Sequence, residues 1–196
     1  MFERKSPRLI GFDYSQAGMY YVTVCTQGRT HRFGMAVGAD PCVCPSHVHH
    51  PRTNPQSMRL SPSGEMIKKW WEKIQQKFTF VRIDEFIIMP NHLHGIIRID
   101  ELRSNIGRGR GRIKGQTHGS APTDVSLSKI MQWFKTMTTN EYIRGVRDGR
   151  FEPFQKRLWQ RNYYDHIVRN DEDLHRIRRY IRDNPKNWDA DALNNT

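Results

Sequence analysis

From Phe86 to Ile99 the chain reads Phe-Ile-Ile-Met-Pro-Asn-His-Leu-His-Gly-Ile-Ile-Arg-Ile, and this run limits the possible folds more than any other. Its β-branched and apolar side chains favour strand. The region from Val81 to Ile99 reads either as one bent strand or as a hairpin pair, with Pro90 and Asn91 suited to a strand start. Residues two apart on a strand point to the same face. His92 and His94 can therefore reach one divalent cation from a rigid sheet. The competing reading is a pair of ordinary histidines, one solvated and one hydrogen-bonded. A bare His-x-His is weak by itself, and the apolar flanks, which would hold the pair inside the fold, strengthen it.

The remaining periodicities supply partners for such a sheet. Tyr20 to Thr26 is aromatic and β-branched and reads as a strand buried on both faces. After a start at Ser61 to Glu65, Met66, Ile67, Trp70, Trp71, Ile74 and Phe78 recur at helical steps. A second amphipathic helix spans about Ser126 to Tyr142, with Leu127, Ile130, Met131, Phe134 and Met137 on one face. Trp159 to Val168 reads as a short extended segment. Asn170 or Asp171 caps a last helix carrying Leu174, Ile177 and Ile181, which ends near Asn184 because Pro185 disfavours helical geometry in the residue before it. The order predicts an α+β fold, an antiparallel sheet with helices packed on one face. Residues 1–196 are read as one domain. A flexible insertion is expected at 34–58 and a basic Gly-Arg linker at 101–123.

Lys and Arg number 32 against 20 Asp and Glu, a net charge of +12. Such a field gathers polyanions, and nucleic acid is the first partner it suggests. Charge alone equally suits a soluble basic protein without catalytic activity. No run approaches the ~20 apolar residues of a membrane span, and no signal-peptide pattern is seen at the start. With three cysteines no disulfide framework is expected, and the reading is cytoplasmic.

Tyr180 and Asn184 lie four apart on the last helix, one above the other at the flank of its apolar stripe. A nucleophile needs such a position, fixed yet reachable, although a boundary tyrosine with its ring in the core is the commoner case. A phosphodiester repels nucleophiles, and a cation on a non-bridging oxygen stabilises the charge of the transition state. A tyrosine oxygen can then attack and store the bond as a phosphotyrosine. The Asn184 carbonyl is placed to supply a third ligand beside His92 and His94.

Phe86 to Ile97 resembles the His-hydrophobe-His strand of the HUH single-tyrosine transposases. Trp159-Gln-Arg-Asn-Tyr-Tyr-Asp-His-Ile-Val-Arg-Asn, followed by Ile177-Arg-Arg-Tyr-Ile-Arg-Asp-Asn-Pro, is similar to the branch called REP-associated tyrosine transposases. Gly11-Phe-Asp-Tyr-Ser-Gln-Ala-Gly and Thr23-Val-Cys-Thr-Gln-Gly are similar too, so the likeness spans most of the chain outside 34–58 and 101–123. It implies a ferredoxin-like fold and a Mg²⁺ or Mn²⁺ ion at His92 and His94, with Tyr180 as nucleophile and Asn184 as a polar metal-site residue. It further implies cleavage of single-stranded DNA beside a hairpin, leaving a 5′-phosphotyrosine and a free 3′-hydroxyl. Single-stranded or hairpin DNA is the expected partner. A homodimer is compatible with the reading, which fixes neither monomer nor dimer. The alternative is a non-cutting DNA-hairpin or RNA-binding protein on the same fold.

Other features weigh less. Arg4, Lys5 and Arg8 of the N-terminal arm are expected on DNA. So are Arg108, Arg110, Arg112 and Lys114 of the linker, which can hold phosphates without sequence preference or stay solvated. Tyr163 and Tyr164 are rival nucleophiles, placed second because neither has an amide one helical turn on. Cys42 and Cys44 with His47, His49 and His50 resemble a zinc cluster in composition only, since structural sites space their cysteines by two to four residues. A loop is expected there. Trp70, Trp71, Trp133 and Trp159 are read as core.

Overall fold

The computed structural model describes residues 12–38, 55–101 and 125–194. Four strands form one antiparallel sheet: β1 (Gly18–Cys25), β4 (Val81–Ile88), β5 (His92–Ile99) and β6 (Tyr164–Val168), in the order β4-β5-β1-β6. Between β1 and β4 lie a two-stranded antiparallel sheet, β2 (Gly34–Gly38) with β3 (Pro55–Leu60), and the helices α1 (Pro62–Glu72) and α2 (Ile74–Lys77). Helix α3 (Leu127–Arg147) joins β5 to β6, and α4 (Asp171–Asp183) follows β6. The main sheet with α1 and α3 thus has the β-α-β-β-α-β order of a ferredoxin-like fold, as expected. No helix among the described residues is long and apolar enough to cross a membrane.

The run from Val81 to Ile99 is the hairpin of the two readings. Met89 to Asn91 make its turn, and the Met89 amide donates to the His92 carbonyl at 2.8 Å. Strand β5 is central, paired on one side with β4 and on the other with β1, in a register that sets His94 opposite Thr23 and His92 opposite Cys25. Side-chain alternation then divides the sheet into two faces. Tyr20, Val22, Val24, Leu93, Ile97 and Ile99 share one core with Ile67, Trp71, Ile130 and Phe134 of α1 and α3. Tyr21 and Ile96 point the other way and pack with Leu174, Ile177 and Ile181 of α4. The expectation of helices on one face holds for α1 and α3, while α4 covers part of the opposite face. The physical reason is that β1 and β5 carry Tyr21 and Ile96 on their second face too, so a second layer is needed to keep water from them.

Local chemistry sets the element ends. Ser61 caps α1 through a bond accepted from the Gly64 amide, with Pro62 inside the first turn. Asn170 caps α4, accepting from the Asp173 amide at 2.8 Å. Asp171, Glu172 and Asp173 sit in the first turn of α4, where the helix dipole favours anions. Pro185 ends α4, and the chain goes on as a 3-10 turn over Asn184–Ala190. Segment 34–58, expected to be irregular, begins and ends in the paired strands β2 and β3, since Met35-Ala36-Val37 can pair with Arg59-Met58-Ser57. The Cys42 and Cys44 cluster lies outside the described residues. So does the linker with Arg108, Arg110, Arg112 and Lys114, and so do Arg4, Lys5 and Arg8. The expected tryptophan roles hold: Trp71 and Trp159 are buried, and Trp70 and Trp133 pack on the same core.

Gly95 lets α1 seat on β5. A Cβ there would lie 2.3 Å from Trp71 Cζ2 and 3.2 Å from Phe86 Cβ, and Trp71 is fully buried. Gly95→Ala must displace the indole, an overpacking cost of about 1–3 kcal/mol. Thermal unfolding is expected to show a clear fall in Tm, and an unchanged Tm would mean that the indole does not fill this contact.

Helix α4 is also tied at its polar edge. The register of β4 shifts between Ile83 and Phe86, and Asp84 and Glu85 of that irregular step meet α4. Arg178 donates to Asp84 in two bonds, Nε to Oδ1 at 2.8 Å and Nη2 to Oδ2 at 2.6 Å. Arg182 Nε lies 3.1 Å from Glu85 Oε2. The Arg178 hydrogen bonds hold the Asp84 carboxyl below its ordinary value of 3.8. A depressed carboxyl pKa gives stability above the unfolded value that is lost as pH falls through the folded one. Asp84→Asn is therefore expected to cost about 1 kcal/mol near neutrality. Urea unfolding should show that difference from wild type closing as the pH drops below 3.8. A difference that persisted in acid would assign the effect to packing.

Candidate active site

The face of β5 turned toward α4 carries the two imidazoles. Both are buried, with His92 Nε2 and His94 Nε2 2.9 Å apart. Their other nitrogens have polar partners. His92 Nδ1 lies 2.7 Å from Asn91 Oδ1, which can only accept, so this nitrogen carries the proton. His94 Nδ1 is 2.7 Å from Tyr21 Oη and 2.8 Å from Thr23 Oγ1, and Thr23 Oγ1 donates to Tyr21 Oη at 3.1 Å. A proton on His94 Nδ1 is satisfied by these hydroxyls, which leaves both Nε2 lone pairs facing one point. Such partners fix the tautomer and ring angle of a metal-binding histidine.

Burial, aided by the Arg29 charge, lowers the His92 pKa to about 3, with the Asn184 side chain pulling the other way. Burial first, then His92, also lowers the pKa of His94. Both rings are therefore neutral near pH 7 and free to act as ligands.

Two oxygen donors complete the set. Ligand atoms of His92, His94 and Asp191 all lie within 4.8 Å of one another. Asn184 is buried, and its Oδ1 has no hydrogen-bond partner. An orphaned buried oxygen is costly and rare. Two imidazoles, a carboxylate and an amide oxygen form a mixed nitrogen and oxygen set suited to a divalent cation, so the residues fit the group that the sequence implies.

Tyr180 comes to the same place from α4. Its ring centroid is 5.3 Å from that of His94 and 6.3 Å from that of Tyr21, and the residue is 46% exposed. It is thus held by aromatic edges on one side and open on the other. Partial burial raises its phenol pKa, and Asp191 adds to this, while Asn184 and Tyr21 oppose it by hydrogen bonding to the oxygen. At rest the phenol keeps its proton.

The structure brings His92, His94, Tyr180 and Asn184 together. Both rivals line the same cleft as Tyr180, but they differ in exposure: Tyr163 is buried and packs with the core of α3, whereas Tyr164 is exposed. Sequence reasoning missed Asp191, Tyr21 and Thr23. Asp191 lies beyond the helix end in a segment with no periodic signal. Tyr21 and Thr23 alternate toward one face of β1, but only the register with β5 shows that they meet His94.

Residues 115–184 match the family model described as "Transposase IS200 like". A Haemophilus influenzae protein, named only as an uncharacterized protein, is 32% identical over 195 residues, covering 97% of this chain and 92% of its own. Among solved structures, that of a REP-associated tyrosine transposase bound to a REP hairpin is 16% identical, with a TM-score of 0.49, over 91% of this chain and 72% of that one. A Deinococcus radiodurans crystal structure is 13% identical, with a TM-score of 0.42, over 89% of this chain and 94% of that one.

Proposed function

Because the chain belongs to the IS200-like transposases, a family pattern carried by residues 115–184, we propose that it cuts single-stranded DNA with Tyr180 and transfers the strand. The observation that carries this reading is the meeting of a half-exposed phenol with two neutral, converging imidazoles on one face of the sheet. His92 and His94 would hold a Mg²⁺ or Mn²⁺ ion, with Asn184 and Asp191 as oxygen ligands. When bound, the cation would draw charge from a phosphate oxygen and favour attack at phosphorus.

The chain's own groups do the rest. Tyr180 loses its proton and its oxygen bonds to phosphorus. The bond from phosphorus to the 3′ oxygen breaks, and that oxygen takes up a proton. Asn184 and Tyr21 steady the phenolate by hydrogen bonds, as their effect on its acidity indicates. Asp191 disfavours the phenolate in the free protein. A carboxylate committed to a cation repels it less, so metal binding and nucleophile activation would be linked through Asp191. The net charge of +12 supports gathering of the DNA backbone. A hairpin beside the cut site is the substrate that the REP-type motifs suggest. A homodimer is one assembly open to the chain.

The test is covalent capture. A labelled strand containing a hairpin, incubated with Mn²⁺, is expected to give a protein–DNA adduct stable in denaturant and mapped to Tyr180. A complex that dissolves fully in salt and denaturant would favour the non-cutting hairpin binder. The role of Asp191 is tested separately: Asp191→Asn is expected to weaken Mn²⁺ binding by about tenfold, read by paramagnetic resonance of free Mn²⁺. Unchanged affinity would remove Asp191 from the ligand set.

A further inference from the structure

A cleft of about 590 Å³ takes in His94, Tyr21 and Tyr180 and extends past them to Tyr164, Gln160 and Asn162, which the proposed cutting does not use. Its walls include Tyr21, Tyr164 and Tyr180, the polar side chains of Gln160 and Asn162, and Arg176. Tyr164 and Tyr180 are 52% and 46% exposed, in a protein that buries most of its large apolar side chains. The Tyr164 ring stands 69° to that of Tyr21 with centroids 6.2 Å apart, an edge-to-face contact and not a parallel stack. Exposed aromatic surface gathered in one concave site marks a place for a ligand.

The wall opposite α4 is built to keep its shape. The Gln160 amide donates to the Cys25 carbonyl at 2.9 Å, continuing β1 pairing past the strand end. The Lys135 ammonium of α3 donates to the carbonyls of Gln160, Arg161 and Asn162 at 3.0, 3.3 and 3.3 Å. It also stands 5.4 Å from the Tyr163 ring centre. One charge therefore clamps three successive carbonyls, so Gln160 and Asn162 line the cleft from a fixed backbone. Lys135 is a positioning residue in this arrangement.

We infer that this cleft receives an unpaired nucleobase of the DNA strand, from a nucleotide next to the phosphate that Tyr180 attacks. The inference rests on the strand-cutting reading for its choice of occupant. Each feature matches a part of a nucleotide. Tyrosine faces stack on any base, carboxamides offer both donor and acceptor to a base edge, and Arg176 at the rim answers a phosphate. The net positive charge favours a polyanion such as a nucleic acid over a neutral or cationic ligand. Seating one base beside the nucleophile fixes which phosphate lies under the phenol. The cleft would then set the cut position, with Tyr164 as the stacking platform and Gln160 and Asn162 as the readers.

Binding without metal isolates the base from the chemistry. Kd is measured by fluorescence anisotropy in EDTA, at one salt concentration, for homopolymers of A, C, G and T roughly 12 nucleotides long and for an abasic strand of equal phosphate number. The wild type is expected to bind at least one homopolymer about tenfold tighter than the abasic strand. Tyr164→Ala should bring the two within about twofold, while Tyr164→Phe keeps the gap because the stacking face remains. Joint replacement of Gln160 and Asn162 by Ala should level the ranking among bases. Homopolymers that bind no better than the abasic strand, or a preference that survives Tyr164→Ala, would overturn the inference. The cutting reading is judged apart, by the Mn²⁺-dependent adduct. An adduct without base preference removes the base pocket alone, and base preference without an adduct removes cutting alone.

Discussion

Replacing Tyr180 by Phe should abolish covalent capture of DNA while leaving DNA binding nearly intact. The substitution removes one oxygen and keeps the ring that meets His94 and Tyr21 edge to face. Helix α4 should still dock, since Leu174, Ile177 and Ile181 carry its burial. Removal of a nucleophile costs several orders of magnitude, and a loss of about a thousandfold or more in adduct formation is the expected scale. Denaturing gel analysis of labelled strand with Mn²⁺ reads it directly. Persistence of the adduct would point to Tyr164, the other exposed phenol of the cleft. The double variant Tyr164→Phe, Tyr180→Phe would then locate it.

Replacing His94 by Ala is the second large effect. His94 shares its Nε2 position with His92 and is held by Tyr21 and Thr23. Its loss removes one of two nitrogen donors, so Mn²⁺ affinity and metal-dependent cutting should each fall by about a hundredfold or more, above the tenfold to hundredfold typical of changes to supporting partners. Thr23→Val acts only through the imidazole, whereas Tyr21→Phe also removes a hydrogen bond to Tyr180; on Mn²⁺ affinity both should fall within that smaller range. Calorimetric titration with Mn²⁺ and single-turnover adduct assays supply the two readouts. If His94→Ala bound Mn²⁺ as tightly as the wild type, the cation would have to sit elsewhere.

That His92 and His94 share a face was legible from the sequence because strand periodicity is local: two residues apart on an apolar strand share a face whatever the sheet order. The spacing of Tyr180 and Asn184 was legible for the same reason, with the helical period in place of two. What the chain order could not supply was the side of the sheet on which α4 lies. That follows from Tyr21 and Ile96 packing with the apolar stripe of α4, and from Asp84 and Glu85 meeting two arginines of α4. Asp191 escaped notice because it arrives through a 3-10 turn after Pro185, where no repeat constrains direction. Strands β2 and β3 were too short, and too rich in turn-forming neighbours, to stand out from loop. The Gly-Arg linker and the basic arm were expected on DNA from their charge alone, and both lie outside the described residues.

Asn91 links regions far apart in the chain. Its Nδ2 donates to the carbonyls of Arg29 and Leu193, at 3.0 and 2.7 Å, while its Oδ1 receives the His92 Nδ1 proton. The turn at Leu193 is thereby wired to the imidazole whose far side faces the proposed cation position. Peeling that turn away would strip one restraint from the amide, let it rotate, and release the ring from its ligand-ready tautomer. Seating of this segment and readiness for the proposed cation would in this way be a single mechanical state.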